Sequence, residues 1–251
     1  MSNTTKYIIN KDLTQFRICG SVKLTLLLLC IIFLGKNNLK SQNYAVKPTY
    51  DKILYGSLIT ISGTELWLTN KLNATPHHWT VNPIDKLAVN QLNTNLAHTA
   101  DATAGATILL SSALTLALPQ NERWGYVNNF AQNLWITGNT VQLIKILVQR
   151  SRPYTNASGY QFTGNKDDNY SFFSGHSAIT AAAATTALMY ALRNNQTNTV
   201  KYLAYGAGVA SLATATLRIL AGKHYPSDVL TGLLIGTGIS IFNTQLHKES
   251  L

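Results

Sequence analysis

Apolar residues in this chain form long blocks that are separated by short polar loops. The blocks run at 53–69, 102–118, 129–149, 177–192, 201–221 and 229–243. Blocks of this length suit helices, while the period-two alternation of half-buried strands is sparse. The chain carries no internal repeat and no low-complexity linker. The pattern therefore predicts an all-α fold, a helical bundle of about six helices.

Several of these blocks are rich in small residues. Ala, Gly and Thr dominate 102–118, 177–192 and 204–216, and Gly232 and Gly236 have a spacing that lets two helices approach closely. Charged residues make up only 12% of the chain, below the roughly 25% of soluble proteins. These features favour a membrane-embedded bundle. A soluble bundle in the same compartment is the alternative.

The first 41 residues differ from the rest of the chain. Four Lys and Arg residues precede an apolar run at 24–35, which is shorter than the roughly 20 residues of a transmembrane helix. This pattern predicts a signal peptide or an N-terminal anchor over 1–41. We expect an N-terminal helix and loops over 42–100, and a core bundle that carries the chemistry over 101–251.

Export of the leader constrains how the helices are arranged across a membrane. Residue 42 would then start outside, on the same face as the loops at 150–176 and 222–228, whose residues form one predicted site. Counting helices back from that face leaves 53–69 unable to cross, so we expect it to lie along the membrane surface. The opposite loops then fall on the cytoplasmic side, and they contain Arg193, Lys201 and Lys248, as the positive-inside rule prefers.

Charge and composition exclude several functions. The formal charge of +10 is uneven, because residues 1–41 hold six Lys and Arg against one acidic residue. No basic stripe is interleaved with aromatic residues, so no nucleic-acid partner is predicted. The carboxylates are scattered, and both cysteines, Cys19 and Cys30, lie in the leader. We therefore predict no metal site and no cofactor.

The first chemical motif is a pair of cations. Lys145 and Arg152 are seven residues apart, which is two helical turns, so one helix would carry both on the same face until Pro153 stops it. Two cations at a helix end form an anion clamp, in which Arg152 donates a bidentate fork to phosphate. The alternative is a solvated basic helix end, which is the interpretation we give Arg150.

The second motif, Ser174-Gly175-His176, opens the small-residue helix at 177–192. Gly175 allows the backbone to approach a ligand, and the free amides of a helix start favour a negative group. The alternative is structural: Ser174 caps the helix and His176 is buried for packing.

The third motif combines Arg218, His224 and Asp228. Gly222 ends the helix of Arg218, and the next helix begins near Ser227. His224 and Asp228 are four residues apart, so the carboxylate can hold one imidazole nitrogen while the other exposes its lone pair. The alternative is an acid that serves only the helix dipole.

Together, the pattern K-x6-RP, SGH and R-x5-H-x3-D resembles the type 2 phosphatidic acid phosphatase and vanadium haloperoxidase superfamily. The similarity covers about residues 100–243. It implies a metal-independent phosphatase in which His224 attacks phosphorus, Asp228 orients it, and His176 protonates the leaving group and then activates water. It also implies a set of groups that bind the phosphoryl oxygens, namely Lys145, Arg152, Ser174, Gly175 and Arg218. Opposed protonation demands on the two histidines imply a bell-shaped pH profile.

The chain departs from the family pattern at two positions. Phe173 stands where proline usually precedes SGH, and Leu217 stands where serine usually precedes the arginine. An aromatic residue before SGH resembles the lipid phosphate phosphatase branch. The expected substrate is a phosphomonoester or pyrophosphate, most readily on a membrane lipid, which leaves phosphatidate, phosphatidylglycerol phosphate, undecaprenyl pyrophosphate and lipid A phosphates open. We expect a cell-envelope membrane with a periplasm-facing site.

Three other functions are compatible with the motifs. A soluble exported acid phosphatase of broad specificity would use the same residues. A vanadate-dependent haloperoxidase would hold vanadate in the phosphate pocket, although such enzymes are typically longer. A non-catalytic phospholipid-binding protein would tolerate loss of His224.

Overall fold

The fold is a bundle of six helices in the part of the chain that the structure describes. The computed structural model describes residues 46–71, 82–88, 90–162, 164–192 and 196–247, so the predicted leader at 1–41 lies outside the described residues. The helices are α1 (Pro48–Lys71), α2 (Thr94–Ala117), α3 (Gln120–Val148), α4 (Gly175–Ala191), α5 (Asn198–Leu220) and α6 (Pro226–Leu246). Three short 3-10 helices lie between them, at Ile84–Leu87, Pro153–Asn156 and Lys166–Asn169. The predicted all-α bundle of about six helices is confirmed.

Local sequence signals explain where the helices begin. Asn93 caps α2, because its side-chain oxygen accepts from the Leu96 amide at 3.1 Å. Thr197 caps α5 in the same way, and Pro226 starts α6 at a position where a missing amide hydrogen costs nothing. Helix α2 begins at Thr94, so the domain boundary that we expected at 100 falls inside a helix.

Helix α4 occupies the centre of the bundle and contacts α2, α3, α5 and α6. Its small residues permit this, because Ala178, Ala182 and Ala183 are fully buried. Toward the far end of α4, Tyr126 and Tyr190 pack edge to face with ring centres 4.8 Å apart. The close helix packing that the small residues predicted is therefore what holds α4 in place.

Helix α1 runs along α3 from one end of the bundle to the other. Tyr55 donates to Asn128 at 2.8 Å, and near the other end Gln142 donates to Thr69 at 3.2 Å, so the two helices run in the same direction. If α3 crosses a membrane, α1 crosses beside it, which does not fit the expectation that 53–69 lies flat on a membrane surface. Hydrogen bonds to polar side chains of α3 hold α1 parallel to α3. The hydropathy of the sequence alone does not reveal these bonds.

Three helices are long and apolar enough to cross a membrane by length and composition, among the described residues. They are α2, α5 and α6. Large apolar side chains point outward from all three, including Leu109, Leu116, Val209, Leu212, Leu234 and Phe242. The outward faces of these three helices are therefore apolar.

Candidate active site

The three predicted motifs meet at one end of the bundle. The Ser174 amide donates to the Asp228 carbonyl at 3.0 Å, which joins the starts of α4 and α6. The Asn93 amide donates to the Ala221 carbonyl at 3.1 Å, which brings the start of α2 to the end of α5. Every residue named from the sequence as a candidate site residue lies at this end, which we call the site end.

His224 is buried at the site end, with only 1% of its surface exposed. Its Nδ1 lies 2.8 Å from the Ser171 carbonyl oxygen, which can only accept a hydrogen bond. Its Nε2 lies 3.3 Å from Nη1 of Arg152, a group that can only donate. We therefore assign the hydrogen to Nδ1 and the lone pair to Nε2. Burial, then the charges of Arg152, Arg218 and Lys145, lower the pKa of His224 well below its ordinary value.

The sequence led us to expect a hydrogen bond between Asp228 and His224, but the structure shows no direct bond between them. Its Oδ2 is 3.8 Å from Nδ1 of His224, beyond hydrogen-bond range. Instead Oδ2 accepts from the Ser171 hydroxyl at 2.5 Å and from the Tyr225 amide at 2.9 Å. The carboxylate therefore fixes Ser171, whose carbonyl holds the imidazole. Asp228 also closes the first turn of α6, so its structural and site roles coincide.

Arg150 is not the solvated residue that we expected. It is buried between two carboxylates, 2.5 Å from Oδ1 of Asp228 and 2.6 Å from Oδ2 of Asp85. Its guanidinium also lies over the Tyr225 ring, 4.0 Å from the ring centre. Burial raises the pKa of Asp85, but hydrogen bonds from Arg150 and Ser227 more than offset this and lower it. Arg150 thus connects the segment before α2 to the start of α6.

His176 pairs with a residue that the sequence motifs did not include. Its Nε2 lies 2.9 Å from Oδ1 of Asp101, which comes from α2. The same oxygen lies 3.3 Å from Nη1 of Arg218. Both side chains of the His176–Asp101 pair are about one-third exposed, at 38% and 31%. Asp101 therefore connects a histidine and an arginine from two separate motifs at a solvent-accessible position.

Lys145 and Arg152 do not share a helix, contrary to the helical-face argument. Helix α3 ends at Val148, and Gln149 adopts a left-handed backbone with φ of 47°. Arg152 follows in an extended segment, with φ of −77° and ψ of 154°. The helix thus ends before Pro153 can stop it. Arg152 nevertheless reaches the site, because the chain turns back toward His224.

Ser174 and Gly175 form the start of α4. Ser174 is fully buried and caps the helix through the Ser177 amide at 3.4 Å. A side-chain carbon on Gly175 would lie 3.2 Å from Cγ1 of Val141 and 3.7 Å from Nζ of Lys145. Glycine at this position therefore leaves room beside the lysine ammonium and the free amides of the helix start.

Asp167 occupies part of the basic site. It pairs with Arg152 at 2.6 Å, and its main-chain oxygen accepts from Nε of the same arginine at 2.8 Å. Burial raises the pKa of Asp167, but the charges of Arg152, Lys145 and Lys223 hold it below its ordinary value. We expect the loop at 154–171, called the entrance loop below, to frame the substrate entrance, and it places a carboxylate among the cations.

The same loop is held by tyrosine hydroxyls. Tyr154 donates to Oδ1 of Asp168 at 2.6 Å, and Tyr160 donates to Oδ2. Lys166 donates to the Thr69 carbonyl at 2.7 Å, which attaches the loop to the end of α1.

Within the described ranges no three His, Cys, Asp or Glu side chains form a metal-binding group.

Sequence reasoning missed several groups of the site, namely Asp85, Asp101, Arg150, Asp167, Ser171 and Lys223. Arg150 and Lys223 lie next to motif residues, and their position was a usable signal. Asp101 comes from a helix with no motif, and Ser171 contributes a main-chain carbonyl that any residue could supply. Their contribution depends on the fold and left no signal in one sequence.

Comparison with known proteins identifies relatives of this chain. Residues 126–251 match the family model of the PAP2 superfamily. That range contains all three motifs, whereas Asp85 and Asp101 lie outside it. An undecaprenyl-diphosphatase of Sulfolobus acidocaldarius is 25% identical over 107 residues, which are 43% of this chain and 48% of the relative. The match thus spans about half the length of that curated relative. No solved structure matches the chain.

Proposed function

Because this chain belongs to the PAP2 superfamily, we propose that its site end hydrolyses a phosphate or pyrophosphate ester of a membrane lipid. The observation that carries the proposal is the pair of contacts made by the His224 ring, from which its tautomer is assigned. A hydrogen on Nδ1, donated to Ser171, leaves a buried lone pair on Nε2 beside the guanidinium of Arg152. A neutral imidazole with one nitrogen held by a hydrogen bond and the other carrying its lone pair is the arrangement of a nucleophile.

The proposed reaction has two steps. In the first, Nε2 of His224 attacks phosphorus, a nitrogen–phosphorus bond forms, and the bond to the leaving oxygen breaks. His176 gives a proton to that oxygen. In the second step His176 takes a proton from water, the water oxygen attacks phosphorus, and the nitrogen–phosphorus bond breaks to release inorganic phosphate. Asp101, 2.9 Å from His176, stabilises the protonated imidazole that the first step requires.

Cations and main-chain amides stabilise the negative charge of the phosphoryl group. Lys145, Arg152 and Arg218 contact its oxygens, with Ser174 and the Gly175 amide at the start of α4. In this proposal Asp228 acts as a positioning residue, because it holds Ser171 rather than His224. No step uses a metal ion or a cofactor, and inorganic phosphate and a lipid alcohol or lipid monophosphate are the products.

The membrane supplies the substrate in this proposal. Helices α2, α5 and α6 are each long and apolar enough to span it, and their outward leucine, valine and phenylalanine side chains suit lipid. The relative named as an undecaprenyl-diphosphatase supports a lipid pyrophosphate as one substrate class. We place the protein in the cell envelope, with the site end facing the periplasm. The alternative is a soluble periplasmic acid phosphatase with the same chemistry.

The test is phosphate release by detergent-purified protein in the presence of EDTA. Phosphatidate, an isoprenoid pyrophosphate and p-nitrophenyl phosphate are compared for the wild type, His224→Ala and the control His98→Ala, which changes a histidine outside the motifs. We expect EDTA-resistant turnover of the lipids, retained in the control and lost in His224→Ala. Equal turnover by wild type and His224→Ala contradicts the proposed nucleophile.

Two other results would redirect the proposal. Exclusive turnover of p-nitrophenyl phosphate by protein that extracts into buffer without detergent supports the soluble phosphatase. Peroxide-dependent bromination with added vanadate, without any phosphate release, supports a haloperoxidase.

A further inference from the structure

Lys223 is a buried cation that the proposed mechanism does not use. It lies directly before His224 in the chain, and only 6% of its surface is exposed. Its Nζ lies 5.3 Å from the centre of the Tyr154 ring. Across the described ranges, no oxygen or nitrogen is within hydrogen-bond range of this ammonium, although a lysine carries three donors. A buried charge with so few partners is costly unless a ligand completes its contacts.

The position of Lys223 relative to the nucleophile is fixed by the backbone. Its carbonyl accepts from Nη1 of Arg152 at 2.9 Å, and the same Nη1 lies 3.3 Å from Nε2 of His224. Lys223, Arg152 and His224 therefore share one wall of the site. Tyr154 covers the ammonium on one side, and the charges that act on it most strongly, those of Arg152, Asp167 and Arg218, all belong to the site end.

One phosphoryl group does not require this lysine. Three cations, Lys145, Arg152 and Arg218, already accompany the amides of the α4 start, and these suffice for three oxygens of one phosphate. With Lys223 the empty site holds four cations against the two carboxylates Asp101 and Asp167, so net repulsion among the cations remains. A substrate with more negative charge than a monophosphate offsets that repulsion.

We propose that the Lys223 ammonium binds the second phosphate of a lipid diphosphate, so that the site prefers diphosphate over monophosphate esters. This inference rests on the function proposed above and names its substrate class. His224 attacks the terminal phosphorus, and the bond from that phosphorus to the bridging oxygen breaks. The bridging oxygen remains on the lipid monophosphate, which gains negative charge as it leaves. Lys223 stabilises that charge, and inorganic phosphate is released in the second step.

The charges that face Lys223 give the interaction a pH dependence. They are Arg152 and Asp167 from the segment between α3 and α4, Arg218 from α5 and Asp101 from α2. Burial, followed by the charge of Arg152, lowers the pKa of Lys223 to about 8. The ammonium is therefore lost as the pH rises through that value, and kcat/KM for a diphosphate falls there because kcat/KM reports ionisations of the free enzyme.

The experiment compares farnesyl diphosphate with farnesyl phosphate on the full-length protein in detergent. Lys223→Met removes the charge and Lys223→Arg keeps it, while Lys201→Met changes a lysine at the other end of the bundle. We expect Lys223→Met to lower kcat/KM on the diphosphate by about 10- to 100-fold, the range of a charged hydrogen bond. On the monophosphate we expect less than about 3-fold loss, consistent with an uninvolved contact. Lys223→Arg and Lys201→Met should retain the diphosphate preference.

The outcomes separate the two proposals. Equal losses on both substrates, or no loss on either, overturn the diphosphate assignment while leaving the phosphatase intact. Folded wild-type protein that cleaves neither substrate rejects the proposed function itself. The wild-type pH profile is independent of whether Lys223→Met folds. An alkaline fall near pH 8 for the diphosphate alone supports the assignment, and parallel profiles for both substrates reject it.

Discussion

At the scale of single residues, the side chains of this site depend on main-chain carbonyls and on neighbouring side chains that hold them in position. The Ser171 carbonyl selects the His224 tautomer, and Asp228 and Arg150 hold Ser171 and the start of α6 in position. The charges of the site are therefore not independent. Changing one of them changes how its neighbours are held, which leads to two predictions.

The first prediction concerns Arg150. Its replacement by Gln leaves the carboxylates of Asp85 and Asp228 buried without their cation, at a cost of about 3–5 kcal/mol. We expect a clear fall in the melting temperature of Arg150→Gln together with a loss of phosphatase activity. Adding Asp85→Asn should restore part of the stability, because it removes one of the unpaired charges.

Lys86→Gln is the control for this prediction, since Lys86 is an exposed neighbour of Asp85. It should melt like the wild type. If Arg150→Gln also melts like the wild type, the two ion pairs contribute little to folding and the interpretation of Arg150 is wrong.

The second prediction concerns pH. Only neutral His224 can attack, and its pKa is lowered by burial and by Arg152, Arg218 and Lys145. The neutral form therefore persists to lower pH than in a free histidine of pKa about 6.5. We expect the acid limb of kcat/KM to lie below pH 6.5 after correction for ionisation of the substrate. An acid limb at or above that value would show that His224 is not held as described.

At the scale of secondary-structure elements, close contact between α4 and α6 positions two motifs relative to each other. A side-chain carbon on Gly232 would lie 2.6 Å from the Ser174 carbonyl oxygen, and one on Gly236 would overlap the Ala178 carbonyl. The two glycines are one helical turn apart, so they form one contact surface. This contact brings Ser174 and His176 on α4 to the same level as His224 and Asp228.

The prediction at this scale is that Gly236→Ala destabilises the protein by about 1–3 kcal/mol, the cost of overpacking. It should also lower activity, because α4 must move away from α6. Gly238→Ala is the matched control: Gly238 lies two residues further along α6, and nothing lies within 4 Å of a carbon added there. The control should be neutral or slightly stabilising, because alanine favours helix. Equal melting temperatures for the two variants would refute the close contact.

At the scale of the whole molecule, the direction of α1 bears on how the chain would cross a membrane. The start of α1 lies at the end of the bundle opposite the site, because Asp51 bonds to His247 after the end of α6 at 2.9 Å. Its last turn reaches the site end, where the Thr69 carbonyl accepts from Lys166. If the six helices cross and the site end faces outward, residue 48 starts on the cytoplasmic side.

This geometry predicts that residues 1–41 stay attached to the mature protein and are not removed as a signal peptide. A tag fused before Met1 should remain on active protein in the membrane fraction, and only detergent should extract that protein. A control tag after Leu251 should behave in the same way, because α6 also ends opposite the site. Active protein that has lost only the N-terminal tag would contradict the crossing of α1 and support an exported bundle.

Much of the architecture follows from local information. Blocks of apolar and small residues predicted the six helices, since burial of one face and close packing need only composition and period. The placement of α1 was predicted less well. It depends on pairs such as Ser62 with Asn139, at 2.8 Å, which join residues far apart in the chain.

For the site, the sequence alone determined which chemical groups are present: two histidines, three cations, a glycine at a helix start and an acid four residues after His224. Short motifs encode these because neighbours on one loop or turn stay together in any fold. Only the tertiary structure decided which group holds which. The Ser171 carbonyl replaced Asp228 as the partner of His224, Asp101 joined His176 to Arg218, and Arg150 joined Asp85 to Asp228. These contacts form when helices that are distant in sequence pack together at one end of the bundle. A single sequence does not show which of its distant residues will be close in space.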